Sequence, residues 1–594
     1  MSSDHIQAWG IKRQRSFALN RPAMELSHNS WAEEGGQVTT DEIKAQIEYL
    51  LQEINPVELI QFSSFLNMIC QSSGSDMSMT RGIGLLKEAR LIPQSASLVN
   101  RLLFHRENVL NLIGQIVSGD IKGTNRLTGI GHLTSQQQYA RTILLINDLI
   151  NSGTNNSATS SVEALLKDHL IREWPHYYNP DVSKTVYGHR IVRYRYCYET
   201  LLPTLKESNR QMMQNAISAF EKKVGVSLQD YMHVISSLFG WFLDWPIRQQ
   251  ENPPAPGDVR FGFDFQNINS FYIDSMKFKD DPSFIKSVDV LSKDITAFQV
   301  RAGKERIRGR DPIKGCNELV RVFFDNPVFK ISDGFYCLLD LKFVLESVCG
   351  GLLWRLRTQE NIQDFKSAYG HLMESYLQFL IRSIFVDTKI TFGEGRGADA
   401  IVEKEDKILI IEFTTEYYRM SSLYNHSSEG FLDDVYRILF NTGANDRRGR
   451  NKKDKGKMLK LNDYVGRIQQ KGKIVIPVLV TENLIGDPAL FNRFSGFYDK
   501  HISDKNLSNL QKNPPVFLCL DDLEVFWGLY DAKDALEGFV DFAKYWITAD
   551  KGPHFHSGTV GICRFVEKHR GGKARISNEG FAKFFSPTKI YRPI

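Results

Sequence analysis

The chain lacks any cysteine pattern that could organise it. Its seven cysteines are scattered, odd in number and free of C-x-x-C spacing. That excludes a disulfide framework and predicts buried free thiols in a reducing compartment. No run of about 18 uncharged apolar residues occurs. The best candidate, "GFYCLLDLKFVLESVCGGLLW", is broken by Asp340, Lys342 and Glu346, so no membrane partner is expected. "MSSDHIQAWGIKRQRS" has no apolar core of the kind a secretory signal needs, and a cytoplasmic location is expected. Also missing are a G-x-x-x-x-G-K-[ST] phosphate loop, a G-x-S-x-G elbow and any internal repeat. The glycines of "GEGRG" (Gly393–Gly397) are not followed by a helical pattern, so they make a turn and not a dinucleotide-binding loop.

Neither sign of charge dominates the whole chain. The net charge is +5, with 42% hydrophobic and 24% charged residues over 594 positions. This is an ordinary globular composition, long enough for about three or four domains. Charge is nevertheless concentrated. Residues 551–594 hold nine Lys/Arg against two acids, and "DRRGRNKKDKGKMLK" (Asp446–Lys460) holds eight against two. Such runs suit a polyanion or form solvated surface; Arg447, Arg448, Arg450, Lys452, Lys453 and Lys457 are the candidate nucleic-acid contacts. "YGHRIVRYRYCYE" interleaves arginine with tyrosine, which suits nucleic acid or an inward-facing aromatic face equally. His554, His556, Cys563 and His569 stand close together, but at no recognised zinc spacing.

The pattern along the chain gives a loosely ordered arm (1–38), a helical domain (39–160), a mostly helical middle domain (161–365), an α/β domain (366–550) and a basic tail (551–594). The helical regions carry no defensible motif, and oligomer or partner contacts are the role expected of them. From Ala368 a helix leads into apolar runs at Lys389–Phe392, Asp399–Val402, Ile408–Thr414, Ile474–Val480 and Pro515–Leu520, with helices fitting between the later ones. That order predicts a mixed central sheet that begins with a three-strand meander.

Within the meander, "EKEDK" is the turn joining two strands. Antiparallel pairing would bring Asp399, at the head of the first, beside Glu412, near the end of the second. An ionised Glu412 after "ILII" is costly unless paired or metal-bound. Glu374 lies on the apolar stripe of the preceding helix and is expected to point inward as a third acid. Three such carboxylates suit Mg²⁺ or Mn²⁺.

These residues resemble the PD-(D/E)XK nuclease superfamily, over roughly a quarter of the chain. The resemblance implies a restriction-endonuclease-like αβββαβ core and metal-dependent hydrolysis of nucleic acid, DNA ahead of RNA. Enzymes of this resemblance often serve in restriction or antiphage defence, repair or mobile elements, and a chain without an ATP site of its own fits restriction or defence among these. It implies Asp399, Glu412, Glu374 and the Phe413 carbonyl as metal ligands. The motif lysine is replaced by Thr414. Some members carry the lysine on the following helix, here "GKMLKLNDYVGRI", where Lys460 and Tyr464 are one turn apart. Lys460 is therefore the expected catalytic lysine, with Lys457 second and Tyr464 a nucleic-acid contact. The alternative is a nuclease-like fold that binds nucleic acid or a partner without cutting.

Overall fold

A computed structural model describes residues 40–71 apart from 53, 106–117, 180–251, 272–308, 322–357, 362–393, 397–416, 428–440, 456–468, 472–482, 491–530 and 533–548, with a few isolated positions besides. The protein is mixed α/β and mostly helical, with two small mixed sheets. No described helix is long and apolar enough to cross a membrane.

The chain divides into two units, each built from separated segments. One comprises 7–165, 219–355 and 589–594. Its four-stranded sheet has the order Ile273–Asp274, Phe335–Leu338, Val328–Ser332, Ser292–Lys293. Asp340 is fully buried there and is satisfied on both oxygens. One caps the helix Leu341–Glu346 through the Phe343 amide at 2.7 Å, and the other accepts from Gln71 at 2.8 Å.

The other unit comprises 1–6, 166–218 and 356–588. The elements used below are α1 (Pro180–Tyr196), α2 (Ile362–Ile384), β1 (Lys389–Phe392), β2 (Ala400–Lys404), β3 (Lys407–Thr414), α3 (Ser428–Phe440), α4 (Lys457–Ile468), β4 (Ile474–Thr481), α5 (Phe491–Asp504), α6 (Ser508–Lys512), β5 (Val516–Cys519), α7 (Leu520–Leu529) and α8 (Ala535–Thr548). The five strands lie in sequence order. β1, β2 and β3 form the antiparallel meander; β3, β4 and β5 run parallel, joined through helices as parallel neighbours must be. The turn between β2 and β3 is polar and tight, with Glu405 in the left-handed region at φ 53°.

β3 is central, and every residue from Ile408 to Thr414 is buried. This explains its nearly unbroken apolar run. Ile408 and Ile410 point to the side covered by α3, α4 and α5, where they join Val435, Leu439, Met458, Leu461, Val465 and Ile502 in one core. Side chains alternate along a strand, so Glu412 faces that side as well.

The unit boundaries differ from the sequence expectation, which placed 161–365 together. Residues 166–218 fall with the five-stranded sheet, and buried charge explains why. Arg193 of α1 is fully buried and donates to both Glu524 oxygens of α7, at 2.6 and 2.7 Å. It also pairs with Asp521, which Arg190 binds at 2.6 Å. Burial alone would lower the Arg193 pKa, but Glu524 and Asp521 hold it well above the ordinary value. Tyr376 of α2 donates to Glu524 at 2.8 Å, and Tyr194 to Glu482 at 2.5 Å. The ring of Tyr196 lies 4.7 Å from that of Phe379. Arg190, Arg193, Tyr194 and Tyr196 are thus engaged inside the unit, Arg195 pairs with Glu199 at its surface, and the nucleic-acid reading of that segment is set aside.

Removing one partner of such a network leaves a buried charge uncompensated. Arg193→Met is expected to lower stability by about 3–5 kcal/mol. Arg193→Met combined with Glu524→Leu and Asp521→Leu should lose less than the single change. Urea denaturation monitored by circular dichroism compares the two; an equal or greater loss in the triple variant would contradict this account.

Candidate active site

Ala400 pairs with Ile411 in the β2–β3 ladder, so the residue before Ala400 stands opposite the residue after Ile411. That places Asp399 across from Glu412. The Phe413 amide donates to Asp399 Oδ2 at 2.6 Å and fixes the carboxylate at the strand end. The approach to Asp399 is tight: a Cβ on Gly393 would lie 2.2 Å from the Ala398 carbonyl oxygen. Position 393 is thus a glycine because the Ala398 backbone leaves no room for a side chain.

The cation comes from α4. Lys457 is its first residue, and its Nζ lies 2.8 Å from Glu412 Oε2 and 3.2 Å from Asp399 Oδ2. One ammonium thus bridges both acids. Its position depends on Gly456, where a Cβ would lie 2.8 Å from the Phe440 carbonyl carbon and 3.0 Å from the Leu439 oxygen. The start of α4 is pressed against the end of α3, and only glycine permits that approach.

Glu412 is 0% exposed, and its Oε1 has no hydrogen-bond partner among the described residues. Burial pushes its pKa up to about 7, against the pull of Lys457; the Asp399 charge adds to the rise. Burial would drag Lys457 down, but Glu412 and Asp399 outweigh it and raise the pKa above the ordinary lysine value.

The other sequence candidates fall as follows. Lys460, the first-choice lysine, sits one turn beyond Lys457, and its charge is only a minor influence on Glu412. It contacts neither carboxylate within hydrogen-bond distance among the described residues, so the contact expected of Lys460 is made by Lys457. The reason is helical phase: the first residue of α4 overlies the strand end. Glu374 is also corrected. It lies at the border of the buried face of α2, is 28% exposed, and faces His371 one turn away at 3.4 Å. Among the described residues, no group of three or more His, Cys, Asp or Glu is arranged to hold a metal. Tyr464 is half-buried on α4; burial and the nearby Glu412 raise its pKa. Thr414 is buried and accepts from the Glu416 amide at 3.2 Å, closing the strand end. Arg447, Arg448, Arg450, Lys452 and Lys453 lie outside the described residues, as do His554, His556, Cys563 and His569.

Comparison of the chain with protein-family models, with curated proteins and with solved structures gives no match in any of the three.

One titration reports the whole arrangement. NMR of protein carrying ¹³C-labelled glutamate should show one carboxyl titrating near pH 7, absent in Glu412→Gln. Its raised pKa means that its contribution to folding is fully present below about 4.5 and is lost as pH rises through about 7. Lys457→Met should move the titration to higher pH, because the ammonium is what holds it down. Gly456→Ala should do the same by displacing α4. A resonance unmoved in both variants would refute the bridge.

Proposed function

We propose that this protein is a divalent-cation-dependent nuclease of the PD-(D/E)XK type, in which Lys457 stands in the place of the motif lysine. The observation that carries the reading is the single ammonium bridging Asp399 and Glu412 at the end of two adjacent strands. The order of helix, three-strand meander, helices and parallel strand supports it, as does the presence of the lysine on α4, the second of the two helices between the meander and β4.

The donor set fits a Mg²⁺ or Mn²⁺ ion. Glu412 Oε1 is buried and unpartnered among the described residues, the kind of oxygen that a hard cation takes. Asp399 and the Phe413 carbonyl are the other expected ligands. Two carboxylates suffice for Mg²⁺, which keeps several of its waters. When bound, such an ion would supply Lewis acidity toward a phosphodiester.

The chain's own residues divide the remaining work. The Phe413 amide holds Asp399 in one orientation. Glu412 must be without its proton to act as a ligand, so the site is competent above about pH 7 and weakens below it. Lys457 keeps its proton throughout this range. It can hold the attacking water and neutralise the charge that gathers on the phosphate oxygens. DNA is the preferred substrate in this reading, and restriction or antiphage defence its setting.

The absence of a third acid near Asp399 among the described residues favours a second reading, a fold that binds without cutting. Incubation with plasmid, linear duplex, single-stranded DNA and RNA, with Mg²⁺ or Mn²⁺, separates the two. Cleavage is expected, reduced at least about 100-fold by Asp399→Ala, Glu412→Ala or Lys457→Ala, and far less by Lys460→Ala or Glu374→Ala. Turnover that survives Glu412→Ala would place the chemistry elsewhere. Binding without cleavage under every condition would select the second reading.

A further inference from the structure

α4 does more than deliver Lys457. Met458, Leu461 and Val465 are buried in the core. Asn462 and Gly466 face α6, where the Asn462 side chain and carbonyl bond Asn509 at 3.1 and 3.0 Å, and a Cβ on Gly466 would meet the same Asn509. These contacts occupy two sides of the helix. The remaining side presents Lys457, Lys460, Tyr464 and Arg467, at spacings of three, four and three residues. At about 100° per residue they fall within roughly 80° of one another. Arg467 is exposed, and its guanidinium lies over the Tyr464 ring, 5.7 Å from the centroid. Neither Lys460 nor Arg467 is engaged in an ion pair among the described residues. The result is a ridge about 15 Å long that begins at the two acids and leads away from them with cations and one aromatic ring.

We infer that this ridge is the track for a single strand of nucleic acid, whose phosphates contact Lys460 and Arg467 while its scissile group lies at Lys457. The inference rests on the proposed hydrolytic site and adds the path and the form of its substrate. Spaced cations follow a sugar–phosphate backbone, and the exposed Arg467 guanidinium, held over the Tyr464 ring, offers a plane on which an unpaired base stacks. Lys460 thereby acquires a role that does not require it to reach the carboxylates.

The test is fluorescence anisotropy with a fluorescein-labelled 20-mer, single-stranded or duplex, in EDTA so that nothing is cut, over a series of salt concentrations. Lys460→Gln/Arg467→Gln should weaken single-strand binding about tenfold. Its plot of log affinity against log salt should flatten by about 1.4, as expected for two lost phosphate contacts. Lys222→Gln/Lys223→Gln removes the same charge from the other unit and should change neither. Unchanged affinity and slope in the ridge variant, with its melting temperature retained, would overturn the proposal. So would an equal loss in the control, or tighter binding of duplex than of single strand by the wild type. If the wild type cuts nothing yet the ridge variant loses binding, the track stands and the hydrolytic reading falls. If the wild type cuts and the ridge variant binds normally, the reverse holds.

Discussion

A carboxylate removed from water must find a cation or keep its proton, and Glu412 is held between these outcomes. It sits inside the central strand, with apolar residues before it and a packed helix above. Burial takes its pKa to about 7, so a modest change in its surroundings decides its charge. The register of β2 against β3, the close contact of Gly393 with the Ala398 backbone and the close approach of α4 to α3 all converge on that one side chain. Without Lys457 it would be a protonated acid in a hydrophobic sheet. With Lys457 it can release that proton near neutral pH and become a charge that another cation can share.

The molecule contains a second buried cluster of charge, and the contrast is instructive. Around Arg193, guanidinium nitrogens, two carboxylates and a tyrosine hydroxyl answer one another at 2.6–2.8 Å. Such a network has little left to offer a ligand, and its work is to hold α1 and α7 together. At Glu412 one oxygen is left over. Complete satisfaction belongs to architecture; an unspent acceptor at a strand end belongs to chemistry.

Much of this was legible in the residues. The five strands appear within a residue or two of the apolar runs that announced them, because a buried central strand cannot hide its Val/Ile/Leu content. The pairing of Asp399 with Glu412 followed from a five-residue polar turn and antiparallel geometry. Three things were not legible. The choice of Lys457 over Lys460 depends on where α4 starts, which is set by a backbone contact between Gly456 and Phe440 that leaves no mark beyond a glycine. Glu374 shares a stripe with buried residues, but it stands at the stripe's border, where a few tens of degrees decide between core and solvent. The inward turn of Arg193 required Asp521 and Glu524, 328 and 331 residues away, and no local pattern spans that distance.

That separation also has a consequence in time. Arg193 leaves the ribosome more than three hundred residues ahead of the acids that neutralise it. At about 5–20 residues per second, the wait is roughly 15 to 65 seconds. Asp399, Glu412 and Lys457 all emerge within that interval. The unit that holds them cannot close around α1 until Glu524 has been made, so its assembly belongs to the last stage of synthesis. A chain cut short before α7 would carry the three site residues but not the clasp that completes their domain.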